Sequence, residues 1–186
     1  MSFEKEKESV FEPELSRIYD KSIREFTRIA VISAPDYVFI DCPSSSSGKY
    51  HPIDEICAEG TIVHTKKVFT MAYEIVKGFD CEYNRDLVLS ASIIHDLRKR
   101  GVEDHKHTVS NHPDLAAKLV EEVHNITGLL NNEQYNIIRN CVGFHYGPWS
   151  EDPWKKDITL YTKEELSLYM SDYVVSKRFI HTDYRR

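Results

Sequence analysis

The chain has 186 residues, of which 41% are hydrophobic and 29% charged, with a formal net charge of −6; that is enough chain for one domain with a full core. The acidic balance argues against duplex DNA as a partner bound through a broad basic face, no apolar run reaches the length of a membrane span, and the first residues lack the core of a signal peptide. Cys42, Cys57, Cys81 and Cys141 show no Cys-x-x-Cys spacing, so buried or incidental thiols are expected rather than a disulfide framework or zinc ribbon, in a cytoplasmic protein.

Residues 1–9 are charged, and a frayed terminus is expected there. From Phe11 to Ile32 the apolar positions Leu15, Ile18, Ile23, Phe26, Ile29 and Ala30 recur at helical spacing. This predicts one or two helices, stopped by Ala34-Pro35. Tyr37-Val38-Phe39-Ile40 is expected as extended chain or a helical turn. Residues 1–42 then form an N-terminal helical extension packed on a main domain, residues 43–186. The stretch Pro43 to Pro52, with four consecutive serines, Gly48, Lys49 and His51, reads in two ways. It is a flexible loop, or it lines a phosphate site with hydroxyls, backbone N–H groups, a lysine and a histidine. The spacing of a P-loop is absent.

Ile62 to Val76 has the period of an amphipathic helix, with Val68, Ala72, Ile75 and Val76 inward and His64 one turn before Val68 on the same face. Asn84 is placed to cap the next helix, in which Leu87, Val88, Ala91, Ile94 and His95 share a face. His95 and Asp96 are either a core histidine beside a surface carboxylate or a pair suited to a divalent metal. His105 and His107 lie in a polar loop, solvated or within reach of a substrate. Asn111-His112-Pro113 marks a helix start, where His112 is a cap or a ligand. The helix Glu133 to Val142 ends near His145, which continues the inward face of Cys141. Phe144, Tyr146, Trp149 and Trp154 make a packed lid or a stacking surface for a base. Thr162-Lys163-Glu164-Glu165 is a capping box opening a last helix. Asp172 lies in its apolar stripe with Leu168, Tyr169, Val175 and Phe179. A buried carboxylate there calls for a hydrogen-bond partner or a metal.

In this order, His64, His95-Asp96 and Asp172 resemble the pattern of the HD-domain superfamily of metal-dependent phosphohydrolases. His112 and His145 resemble the further ligands of its two-metal, phosphodiesterase-like members. The resemblance runs from Pro43 to Phe179. Ser44 to His51, His64-Thr65, His145-Tyr146-Gly147 and Ser171 to Lys177 look like the HD module of bacterial 3′→5′ exoribonucleases and of small phage and prokaryotic HD proteins.

The resemblance implies an all-α bundle of about six to eight helices. It implies one metal held by His64, His95, Asp96 and Asp172, and a second that shares Asp96 and takes His112 and His145. Asp96 and Lys99 would be the catalytic residues, and Ser46, Lys49, His51 and Arg98 would bind substrate. Arg98 stands where glycine is usual in the family's His-Asp-x-Gly-Lys, so it either crowds the site or extends a charge into it. The ligand set suits Mn, Fe, Co, Ni, Zn or Mg. The expected reaction is hydrolysis of a phosphate ester of a nucleotide, cyclic nucleotide or short oligonucleotide. One alternative is a 3′→5′ exonuclease on single-stranded RNA or DNA, although such enzymes usually add an OB-fold for which 186 residues leave no room. The other is a nucleotide-binding regulatory protein without turnover, for which Arg98 is the specific motive. An iron oxygenase suits the Ser/Lys/His loop less well.

Overall fold

The helical periods of the sequence become eight α-helices in the computed structural model, which describes residues 3–45, 47–49, 51–79 and 84–178. These are α1 (Phe3–Leu15), α2 (Lys21–Ser33), α3 (Tyr37–Ile40), α4 (Gly60–Gly78), α5 (Arg85–Ile94), α6 (His112–Thr127), α7 (Asn132–Phe144) and α8 (Lys163–Val175). No strand occurs among the described residues, so the fold is the all-α bundle expected. No described helix is long and apolar enough to cross a membrane.

Helix α5 is the centre. Every residue from Leu87 to Ile94 is buried. A helix that is apolar all round must be covered all round, and α5 packs against α2, α4, α7 and α8. Its two hydroxyls are satisfied: Ser90 Oγ lies 2.6 Å from Thr27 Oγ1, and Ser92 Oγ donates to the Leu89 carbonyl at 2.7 Å. Each of its large aliphatic side chains contributes roughly 1.5–3 kcal/mol by burial. The C-terminal end of α5 therefore delivers His95 and Asp96 to the middle of the bundle.

The segment expected as an extension puts Phe11, Leu15, Ile18, Ile23, Phe26 and Val31 into the same apolar cluster as the side chains of α4 to α8. The frayed terminus expected over residues 1–9 is instead helical from Phe3. The physical reason is Lys7, only 5% exposed. Its ammonium donates to the carbonyls of Ala34 (2.6 Å) and Ile32 (3.3 Å) at the end of α2 and pairs with Asp36 at 2.7 Å. A cation on the last carbonyls of a helix is favourable. Capping boxes open α7 (Asn131 with Gln134) and α8 (Thr162 with Glu165). Asn84 precedes α5, but its side chain donates to Glu164 Oε1 at 2.8 Å rather than capping the helix.

The serine loop is stapled to the start of α4. Ser44 N–H donates to the Glu55 carbonyl (2.9 Å), Cys42 N–H to Ala58 (2.7 Å) and Thr61 N–H to Cys42 (2.8 Å), while Ser44 Oγ donates to the Gly60 carbonyl (2.7 Å). Gly60 lies so close under this loop that an added Cβ would stand 2.0 Å from the Glu55 carbonyl oxygen. Gly60→Ala is therefore expected to cost about 1–3 kcal/mol. A lower urea midpoint with an unchanged m value would register it.

Candidate metal centre

Five elements converge at the C-terminal end of α5. His64 comes from the second turn of α4, His95 and Asp96 follow α5, and His112 is the first residue of α6. His145 caps the end of α7, and Asp172 projects from α8. His64, His95, Asp96, His112 and His145 are all buried, while Asp172 keeps some exposure to a cavity. The two oxygens of Asp96 face different partners. Oδ2 lies 3.9 Å from His64 Nε2 and 3.7 Å from His95 Nε2; Oδ1 lies 3.6 Å from His112 Nε2 and 3.9 Å from His145 Nε2. Asp172 Oδ1 joins the first group, 2.9 Å from His64 Nε2.

The four imidazoles are turned the same way by the bonds on their far sides. Nδ1 of His95 donates to the Ser92 carbonyl (2.8 Å), that of His112 to Val109 (2.9 Å) and that of His145 to Val142 (2.6 Å). Nδ1 of His64 donates to Glu55 Oε2 at 3.0 Å. Each Nε2 is thus aimed inward, which is the arrangement that metal-ligating histidines need. The fit to a metal has a direct mark: His95 Nε2 and Asp96 Oδ1 are buried and have no hydrogen-bond partner in the protein. Orphaned buried polar atoms are costly. Donor atoms of His64, His95 and Asp96, and separately of Asp96, His112 and His145, lie within 4.8 Å of one another and can each hold an ion.

The electrostatics point the same way. Burial alone would raise the Asp96 carboxyl, but the Lys99 ammonium 2.5 Å away, with His95 and His112, holds it well below the usual range. Burial pushes His95 down to about 4 and His112 down to about 3. Burial also opposes a charge on His64, but hydrogen bonds to Asp172 and Glu55 outweigh it and raise that group to about 9. At neutral pH His64 therefore holds a proton on the nitrogen that a metal would take, and binding must displace it. About one proton is expected to leave His64 per chain at pH 7, with affinity rising about tenfold per pH unit toward the His64 value. Titration calorimetry in buffers of different ionisation heat counts it.

A cavity of about 590 Å³ opens over this centre. Of the residues expected at the site, Asp96, Lys99, His112, His145, Asp172 and His51 line it. Ser46 lies outside the described residues; its neighbours Ser44, Ser45 and Ser47 line the cavity. Lys49 stands exposed and is not part of the wall. Arg98, also expected to bind substrate, is not among the residues of the wall. Its guanidinium pairs with Glu122 and donates to the Leu115 carbonyl on α6, outside the cavity wall. Position 98 has no positive φ, so arginine is accommodated there without backbone strain.

The aromatic loop divides. Phe144 and Trp154 pack on each other, with Trp154 over Gly143. Tyr146 and Trp149 line the cavity with Tyr169 and Tyr173, and Trp149 lies parallel to Tyr173 with centroids 6.1 Å apart. Sequence reasoning left His107 undecided, and it proves to line the cavity. It missed Glu55 altogether, which Asp54-Glu55 disguised as an ordinary pair of surface acids.

The model of the family described as HD domain matches residues 61–175. No curated protein and no solved structure matches the chain.

Proposed function

This chain belongs to the HD-domain family of metal-dependent phosphohydrolases, and on that premise we propose that it hydrolyses a phosphate ester of a nucleotide, cyclic nucleotide or short oligonucleotide at a centre of two divalent ions. The observation that carries this reading is Asp96, one carboxylate whose two oxygens face two separate sets of donors. His64, His95, Asp96 and Asp172 would hold one ion; Asp96, His112 and His145 would hold the other. Bound there, such a pair supplies Lewis acidity toward phosphate oxygens and a water-derived nucleophile at neutral pH.

The chain's own residues do the rest. The Lys99 ammonium sits on Asp96 Oδ2 and at the cavity wall, where it can also meet a phosphate oxygen. Ser45 and Ser47 offer hydroxyls at the rim, and His51 offers an imidazole. The aromatic wall supports a nucleotide over a simple phosphate, because Trp149 lines the cavity, is 55% exposed and already has Tyr173 parallel to its ring. Stacking on such a face contributes about 1–3 kcal/mol per base. Trp149→Ala is therefore expected to raise KM for the nucleotide about tenfold with little change in kcat, as loss of uniform binding does.

The deciding experiment is hydrolysis of bis(p-nitrophenyl) phosphate, nucleoside monophosphates, cyclic nucleotides and 5′-labelled oligonucleotides with Mn²⁺, against an EDTA control. Metal-dependent turnover of a nucleotide supports the proposal. A ladder of shortened 5′-labelled products marks the exonuclease instead. No hydrolysis under any divalent metal, together with tight nucleotide binding, would leave the regulatory reading and overturn the proposal.

A further inference from the structure

Glu55 belongs to none of the ligand sets above, yet it is fully buried. It closes the short 3-10 turn Ile53–Glu55 that precedes α4. Its Oε2 accepts from His51 Nδ1 at 2.8 Å and from His64 Nδ1 at 3.0 Å; its Oε1 accepts from Lys67 Nζ at 2.9 Å. The donor atoms of His51, Glu55 and His64 also lie close enough to suggest a third ion. That reading fails on satisfaction: both oxygens of Glu55 are already taken by N–H groups, so the cluster is a hydrogen-bonded hub.

We infer that Glu55 is a positioning residue shared by two imidazoles, turning His64 Nε2 toward the metal centre and His51 Nε2 toward the substrate cavity. One oxygen serves both rings, whose centroids are 5.0 Å apart, so the two orientations are tied together. His95, His112 and His145 take the same service from backbone carbonyls. Among these four histidines, His64 alone depends on a side chain for it. The loop staples hold that side chain: the Glu55 carbonyl accepts from Ser44 N–H, and Gly60 packs beneath it.

The inference rests on the metal-centre reading, and the test separates the two. Zinc affinity is measured by chelator competition on the metal-free full chain, with no substrate present. Glu55→Met, folded by circular dichroism, is expected to bind about 10–100-fold more weakly, the usual effect of losing such a partner. Glu55→Gln, which keeps an oxygen in place, is expected to recover most of that loss. A folded Glu55→Met with wild-type affinity overturns the inference. Should that variant not fold, the wild-type protein decides. Long-range ¹H–¹⁵N spectra of the zinc-loaded chain are expected to show hydrogen on Nδ1 of both His51 and His64. Hydrogen on Nε2 of either ring overturns the shared role. Wild-type chain that binds no zinc, manganese or magnesium overturns the metal reading itself, and the inference with it.

Discussion

Asp96→Asn is expected to lower metal-dependent hydrolysis at least about 10³-fold. Asparagine keeps the shape but removes the charge and one of the two oxygens that face separate donor sets. A metal clamp supplies several kcal/mol of charge stabilisation in the transition state, and about 4 kcal/mol corresponds to a factor of about 10³. Bound metal, counted by elemental analysis, is expected to fall from two ions per chain to one or none. The substitution also strands Lys99, which is 6% exposed and pairs with Asp96. Breaking a buried pair costs about 3–5 kcal/mol. The double variant Asp96→Asn, Lys99→Met is therefore expected to regain stability without regaining activity. Recovery of turnover in the double variant, or two ions in the single one, would remove Asp96 from the bridging position.

Stripping the metal should show in stability as strongly as in rate. EDTA is expected to lower the melting temperature by about 5–10 °C relative to protein in excess Mn²⁺. At a free metal concentration of 100 times Kd, one site adds about 2.7 kcal/mol. A chain of this size shifts by about 2–4 °C per kcal/mol. The metal-free centre also leaves His95 Nε2 and Asp96 Oδ1 without partners in the interior. Differential scanning fluorimetry with and without chelator checks it; coincident melting curves would mean that the cluster is satisfied without an ion.

Most of the bundle was legible because its signals are local. The stripe Val68, Ala72, Ile75, Val76 predicted α4, and Thr162 with Glu165 predicted the start of α8. His64, His95, Asp96, His112, His145 and Asp172 stood out because each is a ligand type on an inward face or at a helix end, and the structure brings them together. What was not legible depends on partners distant in sequence. Lys7 reads as a surface charge until α2 ends beside it. Glu55 reads as a surface acid until His51 and His64 close over it. Arg98 reads as a charge at the site because its partner, Glu122, is on another helix. Trp149 reads as packing or stacking alike until Phe144 takes Trp154 inward and leaves Trp149 on the cavity.

The dispersal of the donors over five elements has a kinetic consequence. His64 and Asp172 are 108 positions apart, and Asp96 meets partners from α4, α6 and the end of α7. Contacts this far apart in sequence repay their loop-closure entropy only once formed, which slows folding. Asp172 of α8 completes the first set, whereas Asp96, His112 and His145 are together once α5, α6 and α7 have packed. Loading of the two sets would then report two stages of assembly, the packing of α5, α6 and α7 for one and the docking of α8 for the full complement of the other.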